Sequence, residues 1–106
     1  MTNEENQRNN DGELVRRAQA GELNAFEALT DRYEERFYNL ALLMLRQQQD
    51  AEDVTQQTIL SAIENLAGCR DGASFSAWLL HIATHEAGKM IRNRKGLGSR
   101  FSEGSA

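Results

Sequence analysis

The sequence contains no proline. Average usage of ~5% would put about five in a chain of this length, so nothing locks φ or removes a backbone donor along its 106 residues. That absence favours long helices, and the eight glycines fall mostly where such helices would stop. There is one cysteine, Cys69, so no internal disulfide can form and a cytoplasmic chain is the simplest expectation. The longest apolar run, Leu40 to Leu45, is far short of the ~20 residues that cross a bilayer. Met1 to Asn10 is polar, with no apolar stretch to serve as a signal peptide. A secreted disulfide scaffold, a collagen-like fibre and a membrane protein are thereby excluded. No strand-like alternation and no internal repeat occur.

Enzyme motifs are missing too. There is no glycine-rich phosphate loop and no nucleophile elbow, and Cys69 has no histidine nearby in sequence. No catalytic residue, cofactor or metal is expected. His81 and His85 stand one turn apart and Glu86 follows, but Lys89 occupies the position where a His-Glu-x-x-His helix needs its second histidine.

Hydrophobic residues make up 40% of the chain, enough for a modest core. Residues 1–10 lack apolar periodicity and are expected to be a disordered tail. Asp11 can cap a helix from about Glu13 to Ala20, with Gly21 as its stop. Asn24 is a second cap candidate, and Glu27 completes a capping-box pattern. From there Phe26, Leu29, Tyr33, Phe37, Leu40 and Met44 form one stripe on a helix ending near Arg46.

Gln47 to Gln49 is a polar break, after which Asp50 can cap a third helix with Asp53 in its first turn. Its apolar residues are Val54, Ile59, Leu60, Ile63 and Leu66, and Gly68 is expected to end it. Ser74 can cap a fourth helix with a stripe of Phe75, Trp78, Leu79, Ile82 and Ala83, extended by Ala87, Met90 and Ile91. Trp78 lies in that stripe and belongs to the core. Gly96 and Gly98 would terminate the helix, leaving 96–106 as a flexible tail or linker. The expected fold is all-α, a bundle of about four helices over residues 11–95.

Net charge is −4, which by itself argues against nucleic-acid binding. Split along the chain, it reads differently. Residues 1–66 carry six arginines against thirteen acids, a net of −7, whereas residues 67–106 carry six cations against three acids, a net of +3. This split suits two faces with different electrostatic partners, and equally the uneven charge that helical proteins often carry for no special reason. His81, His85, Lys89 and Arg92 recur at spacings of 4, 4 and 3 opposite the apolar stripe, and Arg94 and Lys95 continue past them. Such a ridge can follow a phosphate backbone, and equally suits a solvated helix C-terminus. Asp50, Glu52 and Asp53 put three acids into one helical turn, more than capping requires. They would complement an arginine-rich partner, with Gln56 adding a directional hydrogen bond, and would also serve a well-capped helix start.

Three blocks taken together carry a family resemblance. Glu13 to Gly21 with Ala25-Phe26-Glu27-Ala28-Leu29 and Arg32-Tyr33 resembles the opening of bacterial extracytoplasmic-function sigma factors. Asp50-Ala51-Glu52-Asp53-Val54-Thr55-Gln56-Gln57 resembles their Asp-Ala-Glu-Asp-Val-x-Gln-Glu signature, and Phe75-Ser76-Ala77-Trp78-Leu79-Leu80-His81-Ile82-Ala83 their Phe-x-x-Trp-Leu-x-x-Ile-Ala. The blocks keep the family's order and spacing over about residues 11–95.

The resemblance implies sigma region 2, a helical domain that docks on the clamp helices of RNA polymerase core and opens the promoter. On it, Asp50, Asp53 and Gln56 would lie on the polymerase-binding helix. The loop from Cys69 through Arg70 and Asp71 to Ser74 would capture a flipped base of the −10 element, and the helix carrying His81, His85, Lys89, Arg92, Arg94 and Lys95 would lie along the non-template strand. Flipping a base costs a few kcal/mol, offset by pocket contacts and phosphate neutralisation.

The sequence departs from the family's pattern at Thr84-His85 and Lys89, where Arg-Asn and then Asp are usual, at His81, where a base is usual, and at Gln57 for a common Glu. These departures thin the DNA-facing cations. An alternative is therefore a regulatory module that binds polymerase or an anti-sigma factor without opening promoters. Family members continue into region 4, so the chain is expected to be either a domain of a longer protein, which its Gly/Ser tail favours, or a one-domain form.

Overall fold

A computed structural model describes residues 3–70 and 74–105, and the side-chain surroundings of 10–70 and 74–93. Four helices account for nearly all of it: α1 (Asn3–Gln19), α2 (Leu23–Leu45), α3 (Gln48–Glu64) and α4 (Phe75–Ser105), with a 3-10 turn at Leu66–Gly68 between the last two. Among the described residues there is no strand, and no helix long and apolar enough to cross a membrane.

The turn from α1 into α2 follows from glycine chemistry. Gly21 has φ of 104°, open to glycine at little cost. There the Glu22 N–H donates to the Arg17 carbonyl and the Gly21 N–H to that of Ala18, the paired bonds of a Schellman stop. Arg17 and Glu22 close the same turn with an exposed ion pair of 2.7 Å. At the other end of α2, Arg46 takes the left-handed conformation, φ 60°, and donates its N–H to Leu42.

The apolar stripes converge on one main core. Leu14, Val15 and Ala18 of α1 meet Phe26, Leu29, Tyr33 and Phe37 of α2, and both meet Phe75, Leu79 and Ala83 of α4. Phe75 lies 5.9 Å from the Tyr33 ring and 5.7 Å from Trp78, so Trp78 packs against the core as its place in the stripe requires. A smaller cluster follows along α2, α3 and α4, built on Ala41, Leu45, Ala51, Val54 and Ala87. Alanines at these crossings let helix axes approach closely.

Several expectations about helix ends are corrected. Residues 3–10, expected to be disordered, belong to α1, and α4 runs through Gly96 and Gly98, since an isolated glycine weakens a helix without forbidding it. The start of α2 is Leu23, which places Asn24 in the first turn with Glu22 as N-cap. Similarly α3 starts at Gln48, so Asp50 lies inside its first turn, where its charge still suits the dipole. The end of α3 is Glu64, before Gly68.

Its buried face is also different from the one expected. Leu60 and Ile63 are exposed, while Ala51, Val54, Thr55, Thr58 and Ala62 are buried. The threonines fit because their hydroxyls donate to carbonyls one turn back, Thr55 to Ala51 and Thr58 to Val54, both at 2.7 Å.

Asp11 is the largest correction. Rather than capping a helix, it sits within α1 and is 1% exposed. One carboxylate oxygen accepts from Arg32 at 2.7 Å and the other from the Tyr33 hydroxyl, which pins α1 onto α2. Burial first, then the hydrogen bond to Asp11, pushes the Tyr33 phenol up from 10.0 to about 12. The folded state therefore holds that proton more tightly than the unfolded chain. The stability this contributes is full below pH 10 and is lost as pH rises from 10 toward about 12. Unfolding in urea across that interval should show a steep loss of stability, and Tyr33→Phe should remove the part due to this phenol.

Candidate functional site

The acids near the start of α3 and the exposed ridge of α4 are carried on separate helices. On α3, Asp50 is half-buried, while Glu52, Asp53, Gln56 and Gln57 are exposed. Gln49 donates to Asp53 at 3.2 Å and Gln48 to Glu52 at 3.4 Å, surface bonds that orient the two carboxylates without burying them.

Helix geometry sends the expected polymerase-binding residues to two sides of α3. Gln56 and Glu52 line a groove of about 420 Å³ against α2, together with Asp31, Glu34, Glu35 and Tyr38. Asp53 lines a groove of about 280 Å³ against α4, with Gln57, Glu86, Lys89 and Asn93. The first groove gathers four carboxylates, three of them from α2. Sequence reasoning missed Asp31, Glu34 and Glu35 because only the α2–α3 packing brings them beside Glu52. Their i, i+3 and i+4 spacing was the available signal.

On α4, His81, His85, Lys89 and Arg92 are all exposed, one face of a helix whose opposite side holds Phe75, Leu79, Ala83 and Ala87 in the core. The ridge read from the spacing is thus present as a surface. Backbone of Arg94 and Lys95 continues the helix, but their side chains lie outside the described set. Lys89 is not a free cation. Its ammonium pairs at 3.2 Å with Glu86, a carboxylate 7% exposed, so any phosphate must compete with a buried anion. Thr84 donates to the Leu80 carbonyl at 2.9 Å. Among the described residues no group of three His, Cys, Asp or Glu is placed to hold a metal ion.

Between the two surfaces runs the connection from α3 to α4. Arg70 and Ser74 are exposed, whereas Asp71 lies outside the described residues. Cys69 corrects the expectation that it faces a ligand: it is 3% exposed and its side chain belongs to the main core. What it offers outward is backbone. That backbone is held by Gln19, whose amide donates to the carbonyls of Leu66 at 3.0 Å and Cys69 at 2.8 Å.

Residues 29–96 match the family described as Sigma-70 region 2, and the chain belongs to that family. Curated relatives narrow the likeness to the extracytoplasmic-function (ECF) group. The chain is 31% identical over 81 residues to the ECF RNA polymerase sigma factor SigW of Bacillus subtilis (strain 168), covering 76% of this chain and 43% of that protein. To the ECF RNA polymerase sigma factor BldN of Streptomyces coelicolor it is 40% identical over 72 residues, 67% of this chain and 27% of the other. To SigM of Mycobacterium tuberculosis (strain ATCC 25618 / H37Rv), also an ECF RNA polymerase sigma factor, it is 33% identical over 85 residues, 80% of this chain and 43% of the relative. The matched stretch thus spans less than half the length of these relatives.

Proposed function

We propose that this chain is the region 2 module of a transcription initiation factor, docking on RNA polymerase core and receiving the single-stranded −10 element. The observation that carries the reading is the separation of surfaces: carboxylates gathered around α3, and His81, His85, Lys89 and Arg92 exposed along α4. Opposite potentials on two faces suit a protein that bridges a basic protein surface and a nucleic acid. Asp50, Asp53 and Gln56 are the docking residues proposed, and the clamp helices are the expected partner. Arg70 and Ser74 flank the segment proposed to take a flipped base, with α4 running along the non-template strand.

Salt dependence of binding to a labelled −10 single strand tests the DNA half. Four phosphates on Lys89, Arg92, Arg94 and Lys95 would give a log–log slope of about −3, from ~0.7 per contact. Because Glu86 holds Lys89, the expected slope is nearer about −2, three contacts at the same ~0.7. Glu86→Gln should steepen it by one contact. Binding indifferent to salt would remove the basic ridge from the account.

A second reading is favoured by one contact, the Lys89–Glu86 pair, which weakens the strand-facing charge. It makes the chain a regulatory module that binds polymerase or an anti-sigma factor without opening promoters. Core binding without open-complex formation is the outcome that would select it.

A further inference from the structure

We propose that Gln19 is a positioning residue for −10 recognition: from the end of α1 it fixes the Leu66–Cys69 turn from which Arg70 leaves the core. The inference rests on the region 2 reading above. Its physical basis begins at the end of α3. After Glu64 the chain makes a 3-10 turn, and such an end leaves carbonyls without helical partners. The Leu66 carbonyl accepts the Cys69 N–H at 3.0 Å and still has a lone pair to offer. Gln19 fills that need from a distance of 47 and 50 residues in sequence, giving one amide hydrogen to Leu66 and the other to Cys69. Two carbonyl acceptors also determine which way the amide lies, since the flipped form would face its oxygen to both.

The donor is itself held. Gln19 is the last residue of α1, two before the positive-φ Gly21 and within the Schellman stop. Leu66 and Cys69 are buried by their own side chains, at 7% and 3% exposure, whereas Gln19 is exposed. Losing the amide therefore takes no apolar contact from the core. It removes two restraints on the backbone of the turn, which then opens more often and in opening exposes the Cys69 thiol. A turn fixed before binding spares the ordering cost when a base arrives.

The test uses Gln19→Ala, a good helix former at an exposed position, and Gln19→Lys, which restores a multiple donor within reach of the same carbonyls. Two readouts are taken on the chain at pH 7.5, with far-UV circular dichroism to establish that the helices persist. One is the affinity ratio between a labelled −10 single strand and a scrambled one. The other is the rate at which Ellman's reagent modifies Cys69, the only cysteine.

Loss of both hydrogen bonds predicts roughly a thirtyfold smaller ratio and roughly a thirtyfold faster thiol reaction for Gln19→Ala. Affinity for polymerase core should be unchanged, and Gln19→Lys should regain most of both readouts. Gln19→Ala behaving as the unsubstituted chain overturns the proposal. So does a smaller ratio with Cys69 reactivity unchanged, which would put Gln19 against the DNA rather than behind the turn. If the unsubstituted chain shows no preference for the −10 strand, the −10 part of the proposed function fails. Cys69 reactivity then still decides whether Gln19 holds the turn.

Discussion

Asp11→Ala is expected to cost about 3 kcal/mol of folding stability, the low end of what breaking a buried charge pair removes. The carboxylate is 2% exposed, and its loss leaves the Tyr33 hydroxyl buried without an acceptor. Arg32 moderates the loss, because its side chain is 25% exposed and can turn toward water. Against a total of ~5–15 kcal/mol for a domain, this is a large fraction, worth more than ~10 °C in Tm for a chain this small. Asp11→Asn keeps an acceptor for Tyr33 and should lose about half as much. Urea unfolding followed by circular dichroism measures both. A loss under about 1 kcal/mol for Asp11→Ala would mean that the network does not pin α1 to α2.

Asp53→Arg is expected to lower affinity for polymerase core by at least ~30-fold, the low end of the cost of a reversed charge at a desolvated interface. Asp53 is exposed near the start of α3, so the substitution leaves the core intact. Its neighbours across the groove, Glu86 and Lys89, make the change informative. A cation there adds charge on the α4 side, so affinity for the −10 strand should hold or rise while core affinity falls. Asp53→Asn should lose less, and the Asp53→Arg effect should shrink as salt screens it. Titration of labelled chain into core polymerase separates the cases. Equal loss of both affinities would indicate damage to the fold instead.

What could be read from the sequence was local. Phe26, Leu29, Tyr33 and Phe37 lie in the core where their spacing put them, and the α4 ridge is exposed as its 4, 4, 3 spacing required. Farther along α2 the buried line passes to Ala41 and Leu45, because there the helix packs with Ala51, Val54 and Ala87 in the smaller cluster. On α3, hydropathy favoured Leu60 and Ile63 over Thr55 and Thr58. The threonines are buried because their hydroxyls bond within the helix, a device that a residue scale does not register.

The rest depended on contacts far apart in the chain. Asp11 resembled a cap because polar residues precede it, and its partners stand 21 and 22 residues away. Gln19 reaches Leu66 and Cys69 across a still longer interval, and the acidic groove needs α2 beside α3. Read locally, Asp11 is a cap, and Gln19, Asp31, Glu34 and Glu35 are ordinary helix-surface residues; tertiary packing gives each its distant neighbours.

Capture of the −10 non-template strand by core polymerase with and without this chain, read by fluorescence anisotropy, tests whether one small helical domain carries both surfaces of an initiation module. The chain should bind core, the complex should prefer the −10 strand over a scrambled one, and added salt should weaken the capture. A folded chain that leaves core polymerase unable to distinguish the two strands would contradict this expectation.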